Sequence, residues 1–151
     1  MRTYQGAVTV DVPADRVQSF VTSAEAVGPC LPDILALKVT APTTFTARVR
    51  VSVGPVRGAF DLSAEIFPED DGQGARLAVR GGGLGNGLDI KSRLGVTPVS
   101  PASTELSWQA DVAISGPLAA LGSRLIDAQA AKITAQLFQN IQQTMSDASA
   151  S

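Results

Sequence analysis

Along Tyr4, Val8, Val10 and Val12, apolar residues alternate with Gln5, Thr9 and Asp11, the period of two expected of a strand with one wet face. Pro13 then suits the first turn of a helix, and Val17, Phe20 and Val21 fall on one face of the segment after it. AEAVGPCLP predicts a second, short helix stopped by Gly28, Pro29 and Pro32. From Ile34 the period of two returns and holds for about 75 residues. ILALKVTA turns through Pro42 into a strand with Phe45, Ala47, Val49, Val51 and Val53 on one face. VRGAFDLSAEIF aligns Val56, Phe60, Leu62 and Ile66 against Arg57, Asp61 and Glu65. After the turn EDDGQG, ARLAVRG carries Leu77 and Val79 inward, and LDIKSRLGV carries Leu88, Ile90, Leu94 and Val96. TPVSPAS should break the run before TELSWQADVAI, which aligns Leu106, Trp108, Ala110, Val112 and Ile114. Long strands with one apolar and one polar face predict an antiparallel sheet of about seven strands.

The last stretch changes period. From Gly116 and Pro117 onward, Leu118, Leu121, Leu125, Ile133, Leu137, Ile141 and Met145 follow a helical repeat. One helix of roughly 28 residues, about 42 Å long, is predicted. Steps of four overshoot 3.6, so its apolar stripe winds slowly around the axis, as suits a helix lying across a twisted sheet. Only a concave sheet face is large enough to bury such a stripe. The predicted fold is therefore α+β and forms one domain over residues 1–146. A curved antiparallel sheet grips the C-terminal helix, and two short helices after the first strand close one end. Residues 147–151 are expected to fray.

RGGGLGNGLD, Arg80–Asp89, raises the question of a phosphate loop. No glycine in it has glycines at both the second and fifth positions beyond, no Gly-Lys-Ser/Thr follows, and a strand comes next where a helix would be needed. Asn86-Gly87 predicts a tight connection between two strands, with Gly81 to Gly85 letting the sheet bend or bulge.

Composition then narrows the chemistry. The chain has 151 residues, is 44% apolar and has a net charge of −2, enough for a core without disulfides and a poor match to nucleic acid. Arg48, Arg50 and Arg57 form at most a local basic patch of solvent-facing charges. The single cysteine, Cys30, sits in VGPCLP and reads as a buried structural thiol, which suits a reducing compartment. No leader or membrane-spanning run is apparent, so a cytoplasmic location is expected. There is no histidine, which removes the commonest general base and metal ligand. Asp61, Glu65, Asp89 and Asp111 all fall on wet faces. The expectation is a protein that is not an enzyme, holds no metal and has no tightly bound cofactor.

A helix over a concave sheet leaves either a filled core or a pocket. Aromatics are few and Ala and Gly crowd the last helix, so an apolar cavity is expected. Its walls would come from Phe20, Leu31, Phe45, Val51, Phe60 and Leu62, together with Leu94, Trp108, Leu121, Leu125 and Gln129. Gly122, inside the predicted helix, implies close approach by a strand or a ligand. Ser92 lies in phase with Ile90 and Leu94, and Gln129 one step of four from Leu125 and Ile133. Each would need a backbone carbonyl, a water or a ligand carbonyl as partner.

These elements resemble the START-like (SRPBCC) helix-grip superfamily and, within it, the G-subunit family of carbon monoxide dehydrogenase. GAVTVDVPADRV, GPCLPD, VSVGPVRGAFD and STELSWQADVAISGPLAALGSRLI carry the likeness, which covers nearly the whole chain. The chain departs from the family at Asp33, where glycine usually follows proline, and at Gln18, where an aromatic is common. The resemblance implies a non-enzymatic accessory protein of a molybdenum hydroxylase such as carbon monoxide dehydrogenase. Such a protein would bind an apolar ligand, a quinone or a lipid, and associate peripherally with the inner membrane face. Two other readings stay open. One is an interaction protein with a filled core; the other is a START-like cyclase or hydrolase, which would need a buried carboxylate in the cavity.

Overall fold

The computed structural model describes residues 2–150, with side chains to Ser146. Seven strands make one antiparallel sheet: β1 (Arg2–Val10), β2 (Ile34–Ala41), β3 (Thr44–Val53), β4 (Val56–Pro68), β5 (Gly74–Gly83), β6 (Asn86–Ser100) and β7 (Ser103–Ser115). Their order is β1-β7-β6-β5-β4-β3-β2, so every hairpin pair is adjacent and the first strand lies beside the last. α1 (Ala14–Val21) and α2 (Ala24–Val27), the latter prolonged by a tight turn at Gly28–Cys30, carry the chain from one sheet edge to the other. α2 is capped by Ser23, whose hydroxyl accepts from the Ala26 N–H at 3.3 Å. α3 (Ser123–Ala150) lies over the concave face of the sheet. The α+β architecture is the one expected. The frayed end predicted for 147–151 falls on positions whose side chains lie outside the described residues.

Three local expectations are corrected. The run of β6 does not break at TPVSPAS; it continues through Pro98 to Ser100, and only Pro101 and Ala102 turn. The tip of the glycine-rich hairpin is Leu84-Gly85 and not Asn86-Gly87. Both tip residues take left-handed angles, φ 57° and 79°, as a two-residue I′ connection demands. Asn86 instead opens β6, donating to the carbonyls of Gly83 (3.0 Å) and Leu84 (3.3 Å) and accepting from the Leu118 N–H at 2.6 Å. The β5–β6 register is unbroken, so the glycines make no bulge. A Cβ at Gly81 or Gly82 would collide with the carbonyl oxygen of Asp61 or Asn86, so only glycine is accommodated at these two positions of β5.

The third correction concerns the last helix. Pro117–Leu121 is a separate 3-10 turn, and α3 begins only at Ser123. Between them Gly122 has φ 91° and ψ 156°, a region essentially reserved for glycine. Nothing lies within 4 Å of where its Cβ would be. Backbone conformation, not close approach, requires glycine here.

The buried apolar side chains form three clusters. At the short-helix end Val10, Val17, Leu106, Phe138, Ile141 and Met145 pack together, and Trp108 stacks on Phe138 at 5.6 Å between centroids. Phe45, Ala47, Ala64, Ile66 and Ala75 pack along β3 to β5, under Ala24. Val53, Phe60 and Leu118 close the opposite end.

Candidate functional site

The middle of the concave face is left between these clusters. Leu88, Ile90, Ala110 and Val112, on neighbouring strands β6 and β7, belong to none of them, and each is only half-buried. Each points to the side covered by α3 from a strand paired on both edges, where tight packing would bury it.

The helix tells the same story. Arg124, Ala128, Ala131 and Lys132 are exposed and mark its solvent side. Asp127 reaches β1, while Leu125 reaches Gly54 in the β3–β4 hairpin. At 3.6 residues per turn, Ile126, Ala130 and Ile133 lie between those two directions and face the sheet. Ile133 is nevertheless 42% exposed and Leu125 40%. Space therefore remains between the first half of α3 and the sheet. Two recesses that open on the surface, of about 1040 Å³ and 490 Å³, lie instead on the convex face.

The structure spreads the sequence-predicted residues around this space. Phe45 and Phe60 are 3% and 2% exposed and fill flanking clusters. Leu31 packs with the first of these, and Val51, Leu62 and Leu121 with the second. Phe20, Leu94 and Trp108 are half-buried at the short-helix end. Gly122 and Leu125 sit at the opposite end, by the β3–β4 hairpin. Gln129 is half-buried on the flank of α3 that Leu125 shares. Ser92 lies centrally, and its hydroxyl donates to the Gln109 carbonyl at 3.1 Å, which leaves the oxygen lone pairs for a further partner.

Sequence reasoning missed a polar clamp. Arg2 donates from Nε and Nη2 to the two carboxylate oxygens of Asp127, at 2.7 and 2.6 Å, and the Tyr4 hydroxyl donates to Asp127 Oδ1 at 2.7 Å. This ties α3 to edge strand β1. Arg2 and Tyr4 lie in phase with inward-facing Val8 and Val10, and that phase was the available signal: a charge on an inner face needs a partner. The hydrogen bonds from Arg2 and then Tyr4 hold the Asp127 carboxyl below the usual range. Burial, then the Asp127 contact, raises the Tyr4 phenol. Asp127 is thus ionised at neutral pH, and it is not the protonated carboxyl that acid catalysis needs.

The remaining chemistry is sparse. Cys30 is buried, its thiol donates to the Ala26 carbonyl at 3.4 Å, and burial raises its pKa. Among the described residues, no three His, Cys, Asp or Glu side chains converge on a metal position, and no helix is long and apolar enough to cross a membrane. At Asp33 the backbone takes φ 54°, a conformation glycine adopts without strain. Gln18 donates to the Gly74 carbonyl at 2.9 Å and leaves its Oε1 buried without a partner.

Three solved structures illustrate the fold. A conserved protein from Geobacillus kaustophilus superposes with a TM-score of 0.86 at 18% identity, over 97% of this chain and 96% of that one. A START superfamily protein from Mycobacterium smegmatis gives 0.73 at 17% identity, over 96% and 97%. The Zhui aromatase/cyclase from a Streptomyces species gives 0.67 at 13% identity, over 96% and 93%. A search of curated protein sequences found no match. Residues 6–146 match the sequence model of the CoxG family, the G-subunit of carbon monoxide dehydrogenase. With the seven-stranded helix-grip architecture and a match over nearly its whole length, the chain belongs to the CoxG family of carbon monoxide dehydrogenase, on a START-like fold.

Proposed function

We propose that this chain is a non-enzymatic, ligand-binding accessory protein of a molybdenum-containing hydroxylase of the carbon monoxide dehydrogenase type. The ligand is apolar, a quinone or a lipid, and occupies the space between α3 and the sheet while the protein links the enzyme to the membrane surface. The observation that carries the ligand is the unpacked middle of the concave face, where Leu88, Ile90, Ala110 and Val112 stay half-buried beneath a helix. Burying such surface against a ligand stabilises the complex by roughly 25 cal/mol per Å². Ser92 and Gln129 supply polar partners for a ligand carbonyl, at the centre and on one flank. The enzyme partner rests on family membership alone.

The ionised state of Asp127 weighs against the cyclase reading, because a carboxyl held by Arg2 has no raised pKa to use. The test is native mass spectrometry of gently purified protein, followed by titration with decyl-ubiquinone and phospholipid. The sole tryptophan, Trp108, is a built-in fluorescence reporter. Quenching that Ala110→Leu weakens about tenfold would support the reading, a change equal to 1.4 kcal/mol. A protein that purifies empty and responds to neither probe would overturn it.

A further inference from the structure

The convex face of the sheet carries a charge pattern that nothing beneath α3 uses. Lys38, Arg48 and Arg50 on β2 and β3, Arg57, Arg76 and Arg80 on β4 and β5, and Lys91 and Arg93 on β6 all point outward and are exposed. Asp61, Glu65, Asp89, Glu105 and Asp111 share that face. On the strands eight bases thus meet five acids, and the β4–β5 turn adds Glu69 and Asp71 at the edge of the same face, so the bases exceed the acids by one on a chain whose net charge is −2. Arg48 and Arg80 are offset locally by Asp61 (2.8 Å) and Asp89 (3.4 Å). Arg93 makes no ion pair among the described residues and stands directly opposite Arg76 across the β5–β6 ladder. Like charges so placed are destabilising. Arg76 reaches Glu69 at 3.4 Å and lies over the Phe67 ring at 5.8 Å.

The register extends this pair into a line. Gln5, Gln109, Arg93 and Arg76 are successive partners across β1, β7, β6 and β5, spanning about 14 Å at the usual strand spacing. The adjacent line of Ala7, Ser107, Gly95 and Gly74 offers almost no side chain. The recess of about 1040 Å³ lies over these two lines, rimmed on its far side by the turn that bears Glu69 and Asp71.

We infer that this trough docks an acidic segment of a partner protein, with one of the segment's carboxylates forked by Arg93 and the amides of Gln5 and Gln109 alongside. A guanidinium matches a carboxylate with two parallel hydrogen bonds, and an anion seated there offsets the repulsion between Arg93 and Arg76. Glu69 and Asp71 close only the far side, so a narrow segment can lie along Gln5, Gln109 and Arg93 clear of them, whereas a flat anionic bilayer would press like charge onto both. The row is also longer than a single oxyanion needs. None of this depends on what lies beneath α3.

An NMR titration of the full chain with a capped peptide of alternating Glu and Gly at low salt tests the inference. Parallel arms use inorganic phosphate and phosphatidylglycerol vesicles. The expected result is a set of shifts confined to the side chains of Gln5, Gln109, Arg93 and Arg76 and the amides of Ser107 to Gln109, lost at about 0.3 M salt. Arg93→Gln should weaken the peptide about fivefold with an unchanged circular dichroism spectrum, while Lys132→Gln on α3 changes nothing. No peptide shifts, shifts elsewhere, indifference to Arg93→Gln, displacement by equimolar phosphate, or tighter binding to vesicles than to peptide would each overturn it.

Discussion

The two halves of α3 carry similar amounts of apolar side chain and do different things with it. From Leu137 onward the helix buries Phe138, Ile141 and Met145 against Val10, Leu106 and α1, and Phe138 stacks on Trp108. From Ser123 to Ile133 it leaves Leu125 and Ile133 largely exposed and is held to β1 by the Asp127 clamp. A hydrophobic contact is non-directional and fills whatever space it meets. A bidentate ion pair fixes position without filling space. One half of the helix is therefore packed to the sheet, and the other is held at a distance from it.

The largest effect should come from the packed half. Phe138→Ala is expected to cost about 3–5 kcal/mol in urea denaturation, because it removes both the stacking partner of Trp108 and a buried ring. Should the loss fall below about 1 kcal/mol, the packed half is no better anchored than the other and the contrast fails. The junction comes next. Gly122→Ala forces a side chain into a glycine-only backbone region, and about 1–3 kcal/mol of destabilisation is expected. Amide exchange should then rise first near Ile126, at the start of α3, and not near Ile141.

The clamp is best read through pH. The folded-state pKa of Asp127 is depressed, so its contribution is present above the ordinary carboxylate value near 4 and is lost as pH falls through the folded value. Stability curves of the wild type and Asp127→Asn should therefore separate at neutral pH and converge in acid below about pH 4. A constant offset across that range would assign the difference to packing and remove the clamp from the comparison.

The sheet, the succession of strands along the chain and the existence of a long last helix were legible because each rests on a local period. The alternation along LDIKSRLGV sets which side of β6 each residue takes whatever β6 pairs with. The helix start was misplaced because Leu118 and Leu121 continue the stripe, while the deciding feature is a backbone angle at Gly122 that no hydrophobic pattern records. The hairpin tip was misplaced by two residues for a related reason. Asn-Gly is a strong turn signal, but Asn86 is needed in β6, where it accepts from Leu118. At the site, the apolar lining could be anticipated in kind but not sorted into filled and open parts. Phe60 and Leu88 share the concave face, and only three-dimensional packing buries one and leaves the other half-open. The clamp joins Arg2 to Asp127 across the length of the chain, and pairings at that distance leave no periodic trace.

The smallest effect on stability is the most direct test of the open half. Ile133 faces the sheet from the helix yet is 42% exposed, so in the ligand-free protein it has little packing to lose. Ile133→Gln should change the denaturation midpoint by no more than about 0.5 kcal/mol, the range of surface substitutions. The same change sets an amide on the sheet-facing side of α3, so decyl-ubiquinone or lipid binding beneath the helix should weaken clearly. That dissociation separates a lining residue from a core residue, since truncating a core residue moves stability first and binding only through it. If Ile133→Gln proves as costly as Phe138→Ala, the first half of α3 is packed after all. The space beneath it is then filled by the protein's own side chains, and the interaction-only reading of the chain takes precedence.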